Sequence, residues 1–237
     1  MKIIEKTKDQ IVFSADIDES TANAIRRYVG QVPILAIDEL EISRNDSPLY
    51  DETIAHRVGL VPLKMDKSGE KGKLKLNVKR EGTVYSGDMK GHPEVIYKNI
   101  PITTLDKGQE LEFTATVRLG KGTEHSKFFP GIMFYRSPSE ITMDKEFLEE
   151  VKKIVPNAEI KEKGNKIVVM DNKKTEIVDV CEGISNKKKK KAEIVFGKDL
   201  IITVESFGQI DAKDIFKESI DALRKDLTSV EKAIDKI

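Results

Sequence analysis

Ser20-Thr-Ala-Asn-Ala-Ile-Arg-Arg-Tyr-Val-Gly30, Val32-Pro-Ile-Leu-Ala-Ile-Asp-Glu-Leu-Glu-Ile42 and Asp51-Glu-Thr-Ile-Ala-His-Arg-Val-Gly-Leu-Val-Pro-Leu63 carry the reading of the fold. Ser20 is a good helix N-cap, Ile25, Tyr28 and Val29 share one helical face, and Gly30 suits a left-handed helix end. Pro33 pushes Val32 into an extended conformation, and the apolar run after it, with Leu40 and Ile42 alternating, predicts a strand. A second short helix is predicted over Asp51 to Val58, stopped by Gly59 and followed by an extended Leu60-Val-Pro-Leu63. Nothing in these segments has the form of a phosphate loop or a nucleophile elbow. Arg26 and Arg27 sit in mid-helix, where physics alone favours a solvated face over an anchor for a partner's carboxylates or carbonyls.

Working outward, the 237 residues allow one large domain or two to three small ones with a real core. Basic and acidic side chains balance at 41 each, which argues against nonspecific nucleic-acid binding as the main task. The single cysteine, Cys181, can form neither an internal disulfide nor a four-thiolate cluster. The charged amino terminus is unlike a signal peptide and no apolar run nears the ~20 residues of a membrane helix, so a soluble, cytoplasmic chain is expected.

Ile3-Ile4 and Ile11 to Ile17 read as paired strands ahead of the first helix. Leu74 to Val78, Val84-Tyr85, Val95 to Tyr97, Ile100 to Ile102 and Leu111 to Val117 form a mainly β middle region, broken by glycines such as Gly69 and Gly72. Asp144 to Pro156 reads as an amphipathic helix, with Phe147, Leu148, Val151 and Ile154 on one face. Lys166 to Met170 and Glu176 to Val180 read as strands around an Asn172-Lys-Lys turn, and Ala192 to Phe196 and Leu200 to Phe207 as two more. The lysine run Lys187 to Lys191 is either a solvated loop tip, the favoured reading, or a contact for nucleic acid or an acidic partner.

The most regular pattern is the last. From Asp211 onward Phe216, Ile220, Leu223, Leu227, Val230, Ile234 and Ile237 recur at alternating spacings of four and three, which predicts a helix of about seven turns with a coiled-coil-like seam. Burying such a seam contributes on the order of 10 to 20 kcal/mol before entropy, so either this chain's β region or another chain covers it.

No catalytic or metal set emerges. His56, His92 and His125 lack metal spacing, Glu52 to His56 lacks the first histidine of a zincin helix, Gly120-Lys-Gly122 is not a phosphate loop, and Asp38-Glu39 and Asp51-Glu52 are sequence neighbours that point apart. His56 and His125 read better as hydrogen-bonded structural residues.

Asn23-Ala-Ile-Arg-Arg27, Val32 to Ile37, Asn45-Asp-Ser47 and Asp51 to Leu63, joined about sixty residues later by Gly120-Lys-Gly-Thr-Glu-His-Ser-Lys-Phe-Phe-Pro130, resemble the D-type assembly subunits of archaeal DNA-directed RNA polymerase. Their family includes the third-largest subunit of eukaryotic polymerase II and the amino-terminal domain of the bacterial alpha subunit. The resemblance implies an α+β fold with a discontinuous dimerisation domain (1–42 and 204–237), a mainly β middle domain (43–142 and 192–203) and a small ferredoxin-like insertion (143–191). Some relatives carry an iron-sulfur cluster there; with only Cys181 present, a cluster is expected to be absent.

The implied role is a noncatalytic assembly subunit that heterodimerises with subunit L and forms the platform for the two large catalytic subunits, with subunits N and P nearby. DNA and RNA would be met only through the complex. By residue match, Ile25, Tyr28, Phe216, Ile220, Leu223, Leu227, Val230 and Ile234 would meet subunit L, and Arg26 and Arg27 a large subunit. Asp51, Glu52, His56, Arg57 and His125 would hold the junction between dimerisation and middle domains. Two competing readings are a standalone nucleic-acid-binding module using Lys187 to Lys191 and, more weakly, a hydrolase built on His125, which lacks an activated nucleophile.

Overall fold

A computed structural model describes residues 1–65, 71–156, 158–171 and 176–236. The expected break at Gly69, the Asn172 to Lys174 turn and the seam residue Ile237 lie outside these. Along the chain come β1 (Lys2–Lys6), β2 (Gln10–Ala15), α1 (Glu19–Tyr28), β3 (Ile34–Asn45), α2 (Asp51–Gly59), β4 (Lys71–Val78), β5 (Gly82–Tyr85), β6 (Lys90–His92), β7 (Pro101–Leu105) and β8 (Leu111–Gly120). There follow β9 (Gly131–Arg136), β10 (Ser139–Asp144), α3 (Leu148–Ile154), β11 (Glu159–Lys163), β12 (Lys166–Met170), α4 (Val178–Lys187), β13 (Glu193–Phe196), β14 (Leu200–Ser206) and α5 (Ala212–Ile234). The class is α+β with mostly antiparallel sheets. Among the described residues no helix is long and apolar enough to cross a membrane.

Two compact units divide the chain. The first holds Met1–Thr7, Ile11–Asn23 and Met133–Thr203, and the second Lys8–Gln10, Ala24–Ile132 and Val204–Ile237.

One sheet runs in the order β1-β2-β14-β9, and Ile11 to Ala15 and Leu200 to Thr203, which belong to the first unit, are buried without alternation, as in strands covered on both faces. A second sheet runs β11-β12-β10-β13, every pairing antiparallel, with α3 after its first strand and α4 after its third. This is the β-α-β-β-α-β arrangement of ferredoxin-like folds. Its core joins Ile141, Met143, Phe147, Val151, Ile167, Val169, Ile177, Cys181 and Ile184. The strand expected over Glu176 to Val180 is not one, because Ile177, Cys181 and Ile184 are buried at helical spacing and Val178 opens α4. The helix expected from Asp144 is shorter, a 3₁₀ turn over Lys145–Phe147 leading into α3.

Arg136 and Asp171 close the root of this insertion. Arg136 Nη2 lies 3.0 Å from Asp171 Oδ1, Nη1 donates to Oδ2, and the Asp171 side chain is 2 % exposed.

The second unit is built on a sheet in the order β3-β8-β4-β6, with β5 and β7 paired beside it. Leu35, Ile37, Leu74, Leu76, Phe113, Ala115 and Val117 from the sheet, Ile54 and Val58 from α2, and Ile102 and Leu105 from β7 form one core. The register of β3 on β8 slips between Ile37 and Glu39, leaving Asp38 as the extra residue of a bulge. Val95 to Tyr97, read as a strand, supplies a single bridge, Leu63 to Val95.

Two expectations at α1 are corrected. The cap is Asp18, not Ser20: its carboxylate accepts the Thr21 N–H at 2.8 Å and the Thr21 hydroxyl at 2.8 Å, and the backbone bond holds its pKa below the usual carboxylate range. Gly30 is not left-handed; it lies in the 3₁₀ turn Val29–Gln31, where an added Cβ would come within 2.9 Å of the Phe129 ring.

Candidate functional site

Three groups of side chains carry the functional question, and the long helix comes first. At its amino-terminal end α5 buries Ala212, Ile215 and Ser219, and Ser219 donates to the Ile215 carbonyl at 2.7 Å. Phe216, Ile220 and Leu223 are half-buried beside that face. Beyond them the same seam lies open: Leu227 is 61 % exposed, Val230 56 % and Ile234 63 %. The seam read from spacing is thus half-buried as far as Leu223 and open beyond it, and the fully inward face beside it escaped the pattern because Ile215 is its only large apolar residue.

At α1 Ile25 is buried in the chain's own core, so of the two residues assigned to a partner there only Tyr28 reaches the surface. Its hydroxyl donates to Asp226 Oδ2 at 3.0 Å, which raises the Tyr28 pKa and ties α1 to α5 at the start of the open seam. Arg26 and Arg27 are both exposed.

The second group joins the two blocks that are far apart in sequence. Asp38, on its bulge, accepts from Arg118 Nε at 2.7 Å and from Lys127 Nζ at 2.8 Å. The Arg118 bond first, then that of Lys127, holds the Asp38 carboxyl below the usual range. Phe128 is fully buried, with the Arg118 and Lys127 cations 4.6 and 5.1 Å from its ring centre. Gly120 must lack a side chain, since a Cβ would fall 2.7 Å from the Phe128 ring. His125 Nδ1, in the tautomer assigned, accepts the Lys127 N–H at 3.1 Å and caps the 3₁₀ turn Ser126–Phe128. His56 and His125 line one small cleft with Asp38 and Lys127. In the Gly120 to Phe128 block, Gly120, His125, Lys127 and Phe128 therefore each have a packing or hydrogen-bonding task.

Around α2, Arg57 Nη1 donates to the Ile102 carbonyl at 2.7 Å and pins the helix to β7. Asp51 and Glu52 occupy the first turn, where carboxylates suit the helix dipole. Asp51 Oδ1 accepts from Asn45 Nδ2 at 2.7 Å, while Asn45 Oδ1 accepts from Ser47, so the Asn45-Asp-Ser47 block is the turn that launches α2.

The third group is the lysine run, which ends α4 and is not a free loop tip. Lys187 meets Glu150 at 2.9 Å, Lys188 meets Glu146 at 3.3 Å, and Lys190 meets Asp144 at 2.5 Å and Glu146 at 2.9 Å. Three of the five charges are compensated within their own unit, which leaves a poor track for phosphates.

Among the described residues no group of three or more His, Cys, Asp or Glu side chains is placed to hold a metal ion. Cys181 is fully buried, and burial pushes its thiol up to about 11, a protonated packing group unlike a cluster thiolate. The residues present do not fit an iron-sulfur cluster.

The family described as the RNA polymerase Rpb3/RpoA insert domain matches residues 40–130, the stretch that contains α2, β4 to β8 and both cationic partners of Asp38. DNA-directed RNA polymerase subunit Rpo3 of Pyrococcus horikoshii is 32% identical over 244 residues, covering 95% of this chain and 93% of the relative. The Rpo3 subunit of Thermococcus kodakarensis is 33% identical over 94% of this chain and 93% of its own length. That of Methanothermobacter thermautotrophicus is 32% identical, with 93% of each chain covered.

Proposed function

The chain belongs to the family of DNA-directed RNA polymerase subunit Rpo3, an assembly subunit of that enzyme, and on this premise we propose that it heterodimerises with subunit L through the open half of α5. It serves the polymerase without holding catalytic residues itself. The observation that carries the pairing is the run Leu227, Val230, Ile234, three large apolar side chains more than half exposed on one helix face and continuous with the half-buried Phe216, Ile220 and Leu223. Tyr28 adds to this surface through Asp226.

In this reading residues 1–42 and 204–237 act as the dimerisation domain, 43–142 and 192–203 as the middle domain, and 143–191 as an insertion that folds without a cluster. Arg26 and Arg27 contact a large catalytic subunit. Asp51, Glu52, His56, Arg57 and His125 stiffen the middle domain where it joins the dimerisation domain, and subunits N and P bind nearby. The working place of the complex is the cytoplasm.

Size-exclusion chromatography with light scattering, on the chain alone and with subunit L, tests the pairing. A defined 1:1 species with L that Leu227→Asp abolishes is expected; a monomer indifferent to L rejects it. Arg27→Ala is expected to weaken binding of the large subunits about tenfold while leaving the pairing with L intact, and unchanged large-subunit affinity removes Arg27 from that role.

A further inference from the structure

We infer that the outer edge of β13 receives an extended, acid-bearing polypeptide strand, which joins the insertion's sheet antiparallel to β13 with its carboxyl-terminal end beside Lys191. The insertion sheet runs β11-β12-β10-β13, so β11 and β13 are its two edges. An edge strand presents a row of unpaired N–H and C=O groups, and folds defend such rows with charge. The β11 edge is defended in this way: Glu159 pairs with Lys161 at 3.4 Å and Glu162 with Lys145 at 2.6 Å. The β13 edge reads Glu193-Ile-Val-Phe196, with Val195 59 % and Phe196 60 % exposed.

Register fixes which backbone groups are open. β13 pairs antiparallel with β10, Val195 opposite Glu140 and Glu193 opposite Thr142, and the Gly197 N–H donates to the Pro138 carbonyl at 2.7 Å. Bonded residues alternate along an antiparallel pair, so Glu193, Val195 and Gly197 turn their backbone groups to β10. Ile194 and Phe196 turn theirs outward, each with an N–H and a C=O at the spacing an added strand requires. Only another extended backbone matches that row. Ile194 packs on the core beneath α3 and α4, so Phe196 stands on the same face and Val195 on the opposite one. An incoming strand therefore meets an apolar side chain on each face.

Charge selects the strand. Lys187, Lys188 and Lys190 are held by Glu150, Glu146 and Asp144, whereas among the described residues Lys189 and Lys191, just ahead of β13, are in no ion pair. Every pairing in this sheet is antiparallel, and an antiparallel newcomer brings its carboxyl-terminal end to Lys191. A second copy of β13 would bring there the segment Gly197-Lys198-Asp199, whose charges cancel. A strand with carboxylates at that end complements both lysines.

The test uses the full chain and a synthetic peptide of about ten residues, valine alternating with threonine and a pair of aspartates at its carboxyl end. Amide exchange read by NMR is expected to show the Ile194 and Phe196 N–H groups slowing about tenfold on saturation, while that of Val195, already bonded to β10, changes little. No slowing with the peptide in millimolar excess overturns the proposal. Moving the aspartates to the amino end, or Lys191→Glu, is expected to weaken binding roughly fivefold; equal affinity in both overturns the acid-bearing strand. Self-association of the full chain that protects the same two amides puts a second copy on the edge and overturns it as well. Phe196→Pro removes an outward donor and no bond to β10, so it is expected to abolish peptide binding with the thermal midpoint within a few degrees of the parent's. Where that variant unfolds, a peptide N-methylated on the donors facing β13 gives the same control on the unsubstituted chain. A methylated peptide that binds as well as its parent overturns the backbone pairing.

Discussion

Opposite substitutions at the two ends of α5 should separate folding from assembly. Ile215 is fully buried, so Ile215→Ala is expected to cost the isolated chain about 2 to 5 kcal/mol of stability through lost burial and the cavity left behind. Leu227, Val230 and Ile234 keep 61 %, 56 % and 63 % of their surface in water. Fully burying such a side chain is worth roughly 1.5 to 3 kcal/mol, so the part still open corresponds to about 1 to 2 kcal/mol each. Replacing all three by alanine should therefore weaken binding to subunit L by roughly 3 to 5 kcal/mol, two to four orders of magnitude in Kd. The isolated chain should change by less than about 0.5 kcal/mol per site, since exposed positions rarely matter more and alanine favours the helix. Titration calorimetry with L and urea unfolding of the chain alone supply the two readouts. Triple-alanine affinity within threefold of the parent, or a loss of chain stability above about 2 kcal/mol, would show that the seam is covered from within.

Other outcomes follow from single interactions. Arg136→Ala removes the cation paired with the buried Asp171 carboxylate and should cost about 3 to 5 kcal/mol in urea unfolding, whereas Arg136→Met combined with Asp171→Leu should recover most of it; a loss under about 1 kcal/mol would mean that the remaining contacts of Asp171 or water compensate the charge. Asp38 has a lowered folded pKa against an unfolded value of about 4, so its contribution is complete at neutral pH and falls away as pH drops through 4 toward the folded value. The stability gap between the parent and Asp38→Asn should narrow accordingly, and a gap unchanged from pH 6 to below pH 3 contradicts the assignment. With its thiol raised to about 11 and fully buried, Cys181 should resist iodoacetamide at pH 8 until the chain unfolds; prompt native labelling would place it at the surface.

Local pattern was enough for much of the architecture. Apolar alternation and turn residues located β2, β3, β8, β12 and β14, the 3.5-residue repeat announced α5, and two short motif blocks pointed to the family before any contact was known. Where local signals were ambiguous, packing chose between them. Ile177, Val178 and Val180 suit a strand edge or a helix start equally, and only the burial of Cys181 and Ile184 makes the segment helical. Asp18 and Ser20 are both competent caps, and the helix took the one whose carboxylate reaches Thr21. Tertiary structure alone decided how the motif blocks act. The bulge that frees Asp38 brings it to Arg118 and Lys127 across 80 and 89 residues, a closeness that depends on the β3 to β8 register and leaves no trace in spacing along the chain. It also divided the α5 seam. Periodicity states which side chains share a face of a helix, but whether that face meets the chain's own core or open water depends on where the rest of the chain lies, and here that boundary falls between Leu223 and Leu227.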